Sequence, residues 1–112
     1  MEAASTAVPA AVPQHIRALE QANRVRLARA ALKRSVGDGQ LSVEEVVRQC
    51  PWEAETMSVS ELLRSQSRWG RTRTRKFLTP LALSENRQLG RLTLRQREAL
   101  AGALEAKRVS RR

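Results

Sequence analysis

The chain has 112 residues, 41% of them hydrophobic, which is enough for one compact domain with tails but not for a second domain. Twenty-one Lys and Arg residues against eleven acidic residues give a net charge of +10, and such an excess is typical of proteins that bind a polyanion. Cys50 is the single cysteine, which excludes an intramolecular disulfide and a four-cysteine metal site. No segment is apolar enough to span a membrane and the opening residues lack a signal-peptide pattern, so we expect a cytoplasmic location.

The first predicted elements are a tail and a long helix. Residues 1–12 are rich in Ala and Pro and show no periodicity, which predicts a disordered tail. Pro13 suits the first turn of a helix, and helix-forming residues continue without Gly or Pro from Gln14 to Ser35. We therefore predict a basic N-terminal helix within residues 13–36.

That helix has a basic side but no single apolar stripe. Arg26, Arg29 and Lys33 are spaced so that they fall on a shared side of the helix. A helix with this pattern packs lightly and presents cations to solvent or to a ligand. The phosphate-binding residues predicted here are Arg24, Arg26, Arg29 and Lys33.

Three short patterns mark the starts of further helices. The segments Ser42 to Glu45, Ser58 to Glu61 and Thr93 to Gln96 have the form of capping boxes, in which the first side chain accepts a hydrogen bond from the backbone N–H three residues later. Pro51 ends the helix that begins after Ser42. Strand patterns are absent, because no run alternates β-branched residues with polar ones. The sequence therefore predicts an all-α protein.

The stretch from Arg64 to Arg91 carries much of the positive charge. It contains eight basic residues and a single acid, Glu85, for a local charge of +7, whereas residues 37–63 carry one Arg and six acids, or −5. Gly70, between two predicted helices, lets the backbone come close to another surface, and the N–H groups at the start of the next helix can bind a phosphate. We interpret this stretch as the binding surface; the alternative is a solvated basic face.

Two residues near this glycine affect the interpretation. Trp69 is an apolar residue that could press on a sugar or wedge at a base step, although a Trp between two short helices is more often part of the core. Pro80 predicts that the helix following Gly70 stops at about Leu78.

The order of the motifs resembles that of one bacterial family. The segments "SVEEVVRQ", "MSVSELLRS", a Gly–basic turn and "LALSENRQLGRLTLRQREAL" are similar to the actinobacterial integration host factor family. The residues that fall on the family's recurring positions are Val59, Leu62, Leu63, Gly70, Arg73, Leu83, Ser84, Glu85, Arg87, Leu92, Gln96 and Leu100. A looser match extends the resemblance to about residues 13–105.

The resemblance implies a long N-terminal helix followed by a compact helix-two-turn-helix domain, related in shape to a module of a small-subunit ribosomal protein. This domain would span residues 40–106. Beyond it, Arg108, Arg111 and Arg112 predict that residues 107–112 form a basic, solvated C-terminal tail. The resemblance also implies a nucleoid protein that binds duplex DNA with little sequence preference and that bends or constrains it.

By the same resemblance, Trp69, Gly70 and Arg71 occupy the family's Val-Gly-Lys turn, and Arg73 its following Arg. Arg87 matches the first of a later run of basic residues. The family's Pro-Gly ahead of the turn is replaced by Ser67-Arg68. The DNA-binding residues predicted in this part of the chain are Arg68, Trp69, Gly70, Arg71, Arg73, Arg75, Arg87 and Arg91.

Other functions are less well supported. His15 is the only histidine, and no recognisable motif places a base beside a nucleophile, so we expect no catalytic site, metal, cofactor or small-molecule substrate. An RNA-binding protein of ribosomal type is an alternative, because A-form helices need only shape and phosphate contacts. A protein-interaction adaptor of mobile-element origin, acting through the acidic middle of the chain, is a third. We expect a monomer in the free state.

Overall fold

Pro13 and three capping pairs set the beginnings of most helices in this chain. The computed structural model describes residues 13–110, with side chains to Arg108. Within that range the helices are α1 Gln14–Gly37, α2 Val43–Gln49, α3 Val59–Arg64, α4 Arg71–Leu78 and α5 Leu94–Ser110. No strand occurs in the described range; one isolated antiparallel bridge joins Ser58 and Gln88. The predicted all-α class is confirmed, and the predicted tail at residues 1–12 lies outside the described residues.

The C-terminal half of α1 packs on the domain through one side. Leu32 and Val36 are buried, and Val25 and Ala28 are half-buried. These four residues recur every three or four positions, so they form one stripe along the helix. The predicted long helix is confirmed, and it runs one residue past residue 36, to Gly37, before Gly39 turns the chain with a φ of 78°.

The opposite side of α1 carries a second set of apolar residues. Ile16, Leu19 and Leu27 are 40%, 65% and 60% exposed. Val25 and Leu27, two residues apart, point in nearly opposite directions, about 200° apart at 3.6 residues per turn. The helix therefore has two apolar stripes on opposite sides, which explains why its sequence shows no single one.

All three predicted capping pairs form. The Glu45 backbone N–H donates to Ser42 Oγ at 3.3 Å, and that of Glu61 donates to Ser58 Oγ at 3.0 Å. Thr93 and Gln96 bond reciprocally, at 3.1 Å from the Gln96 N–H to Thr93 Oγ1 and 2.9 Å from the Thr93 N–H to Gln96 Oε1. These caps satisfy helix N–H groups that have no partner inside the helix.

The core lies between α2, α3 and α5. Its largest fully buried side chains include Met57, Leu62, Leu63, Leu89 and Leu100. The outer edge of the α2–α5 contact is held by Arg48, which donates to Glu98 at 3.0 Å and to Glu105 at 2.6 Å. The hydrogen bonds that Arg48 donates to Glu105, and then those to Glu98, raise the pKa of Arg48 above its ordinary value.

The last helix is longer than the sequence predicted. It continues through Lys107 and Arg108 to Ser110, and Arg108 Nη2 lies 2.8 Å from Oε2 of the buried Glu44. Lys107 and Arg108, which the sequence placed in a C-terminal tail, are exposed but continue the helix, and a buried carboxylate on α2 favours a helix long enough to bring a cation to it. Residues 111–112 lie outside the described range.

Candidate nucleic-acid interface

A short turn, residues 65–70, connects α3 to α4; we call it the Gly70 turn. Its exposed Arg68 has a φ of 69°, in the left-handed region that glycine favours. An Arg in this region carries a conformational cost and places a cation ahead of α4.

The amino end of α4 is open to solvent. Gly70 is the N-cap residue, and neither a capping side chain nor an acid stands in the first turn. A Cβ added to Gly70 would meet no atom within 4 Å. The first N–H groups of the helix lack intrahelical acceptors, so this end has the geometry that accepts an anion. Exposed Arg71 forms no ion pair with any residue of the described range.

Trp69 supports this turn from beneath. Its side chain is 7% exposed, and its ring packs edge-on against Phe77 at 5.2 Å between centroids. The Arg73 guanidinium carbon lies 4.6 Å from the centroid of the Trp69 ring, which is cation–π geometry. The core interpretation of Trp69 is confirmed; insertion at a base step would require an exposed ring, and in this structure the ring orients Arg73 instead.

A basic groove lies between α4 and the C-terminal end of α5. It has a volume of about 440 Å³ and is lined by Thr72, Arg73, Lys76, Phe77 and Lys107. Three of these five residues are cations and none is acidic. The sequence interpretation missed Lys107 because it placed this residue in a tail, and only the extended α5 brings it to α4.

The second predicted basic segment is a loop fixed by backbone hydrogen bonds. The Leu89 N–H donates to the Met57 carbonyl and the Gly90 N–H to the Glu55 carbonyl, both at 2.9 Å. A Cβ at Gly90 would lie 2.9 Å from that Glu55 oxygen, so the close approach requires glycine here. This backbone pairing holds the exposed Arg87 and Arg91 on a rigid loop, where Arg87 Nη2 lies 3.4 Å from the Arg91 carbonyl.

Other predicted site residues have partners within the chain. Arg75 Nε donates to Glu85 at 2.9 Å, and this pair ties α4 to the loop that leads to Arg87. On α1, Lys33 Nζ forms an ion pair with Glu61 at 2.9 Å, and Arg29 donates to the Thr56 hydroxyl. These two residues therefore join α1 to the domain.

Near the start of α1, the predicted site residues are more exposed. Arg26 bonds Asn23 at 2.6 Å on the helix surface, and Arg24 is exposed. From Gln14 to Leu27 every side chain except the half-buried Val25 is exposed; we call this part of the helix the arm.

The predicted residues thus fall into three groups. Around the Gly70 turn the structure brings together Arg68, Arg71 and Arg73. Arg87 and Arg91 share one loop, and the four predicted site residues of α1 are divided between the domain contact and the arm.

Outside the basic surface, we considered the single cysteine, possible metal ligands and possible membrane spans. Burial raises the pKa of the Cys50 thiol, which lowers its thiolate fraction and its reactivity. Among the described residues no group of three or more His, Cys, Asp or Glu is arranged to hold a metal ion. Of the helices in residues 13–110, none combines the length and apolarity of a membrane span.

The fold is shared with a solved structure described as "Structure of sIHF bound to an 8bp palindromic DNA". The two chains superpose with a TM-score of 0.69 at 29% sequence identity, and the match covers 76% of this chain and 98% of that chain. This likeness establishes an all-α fold of the integration host factor (sIHF) type for the present chain. No protein-family model and no curated protein matches the sequence of this chain.

Proposed function

We propose that this chain is a non-enzymatic nucleoid protein of the actinobacterial integration host factor type, which binds duplex DNA through its phosphates and constrains its path. The observation that carries the proposal is the open amino end of α4 at Gly70, surrounded by Arg68, Arg71 and Arg73, on a chain of net charge +10. The DNA-bound state of the structurally similar sIHF chain supports the same choice of ligand.

Each part of the surface has a distinct role in this proposal. The N–H groups after Gly70 and the Arg71 side chain hold one phosphate. Arg73, oriented by Trp69, and the neighbouring Arg68 hold the phosphates on either side. Arg87 and Arg91 form a second contact, and Arg24 and Arg26 on the arm of α1 add attraction that does not depend on sequence.

The test is a fluorescence-anisotropy titration of a duplex of arbitrary sequence over a salt series. If about six cations neutralise phosphates, the plot of log affinity against log salt has a slope near −5, at roughly −0.9 per contact. The triple variant Arg71/Arg73/Arg87→Ala is expected to flatten the slope by about two to three units. Arg17/Arg34/Arg95→Ala is the matched control, because it removes the same charge from exposed positions outside the predicted set.

The outcomes separate the rival functions. A slope that flattens equally in both triple variants would mean that binding follows net charge and that the proposed surface is wrong. Absent or salt-insensitive binding would favour a protein-interaction adaptor. Duplex RNA that displaces the DNA at equal concentration and salt would favour an RNA-binding protein, since the A-form helix would then be the better ligand.

A further inference from the structure

The apolar stripe of α1 that faces away from the domain has no partner among residues 13–110. We call it the outer stripe: Ile16, Leu19, Asn23 and Leu27. Its three aliphatic side chains are 40–65% exposed, on an arm whose other residues are mostly polar or charged. Apolar residues grouped on one exposed side and rimmed by charges are typical of a protein-interaction surface.

We propose that the outer stripe binds the outer stripe of a second copy of this chain, with the two helices antiparallel. Asn23 lies near the centre of the stripe, between the apolar residues of its two ends. A two-fold axis through Asn23 brings Ile16 and Leu19 of one helix against the Leu27 end of the other. The stripe is therefore complementary to itself in the antiparallel direction, as an isologous contact requires.

The charges beside the stripe select this direction. Glu20 and Arg24, one turn apart, lie on the same flank, and both are exposed. In an antiparallel pair the same flanks face each other, so Glu20 of each copy lies beside Arg24 of the other, giving two ion pairs. In a parallel pair opposite flanks meet, and Arg24 would instead approach Arg26 of the second copy.

Asn23 gives the pair a defined register. Its Oδ1 accepts from Arg26 Nη2 at 2.6 Å within one chain, and its amide N–H groups can donate across the two-fold axis. A polar residue at the centre of an apolar helix contact penalises shifted alignments, because sliding would bury the amide against aliphatic side chains.

The size and charge of the contact set its strength. Two short helical faces bury an area at the low end of specific interfaces, about 1,200 Å² or less, and each chain carries +10. Mutual repulsion therefore keeps the free protein monomeric at low ionic strength, and screening of that repulsion allows the pair to form. This inference does not depend on DNA binding.

The experiment uses single-cysteine variants of the full chain in a Cys50→Ala background, treated with a short bismaleimide in about 0.15 M NaCl, where a Debye length of about 8 Å screens the long-range repulsion but not ion pairs in contact. Asn23→Cys is expected to give a covalent dimer several-fold more readily than Gln21→Cys. Gln21 is the matched control because it is also exposed but lies on the opposite side of α1. Circular dichroism checks that each variant folds.

A second arm of the experiment fixes the direction. A mixture of Leu19→Cys and Leu27→Cys chains, one of them tagged, is expected to give mostly mixed dimers. Equal cross-linking of Asn23→Cys and Gln21→Cys would overturn the proposal, since it would reflect random collision. Efficient dimers of Leu19→Cys with itself would also overturn it, because they require parallel helices. With no DNA present, either result leaves the proposed function untouched.

Discussion

The cations of α1 and those of the Gly70 turn belong to one strongly basic chain, but they have different surroundings. On α1, Lys33 pairs with Glu61 and Arg29 bonds Thr56, so these two side chains hold the helix on the domain. At the turn, Arg68 and Arg71 are exposed beside an uncapped helix end and have no acid paired with them in the described range. Charge density alone therefore does not locate a binding surface; the presence or absence of an internal partner divides the cations.

The largest expected effect comes from removing the support beneath the turn. Trp69→Ala is predicted to lower the free energy of unfolding by about 3–5 kcal/mol, because it removes a buried ring and the contacts with Phe77 and Arg73. Trp52→Ala, at a side chain that is 53% exposed, is the control and is expected to cost much less. Urea unfolding measures both, and equal losses would contradict the packing described for Trp69.

Substitutions at Gly90 and Gly70 should have different effects, the first on stability and the second on DNA binding. Gly90→Ala is predicted to destabilise the fold by about 1–3 kcal/mol, because its Cβ would overlap the Glu55 carbonyl. Gly70→Ala meets no atom, so its effect on the unfolding free energy is expected to stay within about 1 kcal/mol. Its methyl group would nevertheless stand at the open end of α4 and weaken DNA binding several-fold. A Gly70→Ala chain that binds as tightly as the wild type would argue against a phosphate at that end.

Replacing Arg68 by glycine should make the fold more stable and weaken DNA binding. Arg68→Gly is expected to raise the free energy of unfolding by about 1 kcal/mol by removing the left-handed strain, and to flatten the salt slope by about one unit by removing a cation. Arg68→Ala is the control, since it removes the charge but keeps the strain. If both variants show the same stability, the positive φ carries no cost.

The smallest expected effect is on the stability of the fold at acid pH. Hydrogen bonds from Arg48 lower the pKa of Glu105 from its ordinary value. A carboxyl whose pKa is depressed by folding contributes stability at neutral pH and loses it as pH falls through and below the usual Glu range. Glu105→Gln should therefore flatten the acid side of the stability profile, whereas Glu53→Gln, at a residue with no ion pair in the described range, should leave it unchanged. Unfolding melts between neutral and acid pH measure this, and parallel profiles would contradict it.

The helices could be predicted because their signals are local. Ser42, Ser58 and Thr93 each cap a helix through a backbone group three residues away, and a short pattern contains both partners. Pro80 likewise stops α4 where the sequence predicts, at Leu78.

The pairing of charges could not be predicted, because it joins distant residues. Lys33 and Glu61 are 28 positions apart, and Arg48 and Glu105 are 57 apart. The same limitation affects the site, since Lys107 enters the basic groove only through the length of α5. The sequence of α1 shows that its apolar residues do not form one stripe. Which of them pack on the domain depends on contacts with residues far away in the chain, so the sequence of the helix does not predict it.

The most direct test compares one cation from each region. Arg71→Ala and Lys33→Ala remove the same charge, and the salt dependence of duplex-DNA affinity is measured for each beside the wild type. Arg71→Ala is predicted to flatten the slope by about one unit, whereas Lys33→Ala should leave it nearly unchanged because Glu61 already compensates that charge. Equal slopes in the two variants, or a larger change at Lys33, would contradict the division of the basic residues proposed for this protein.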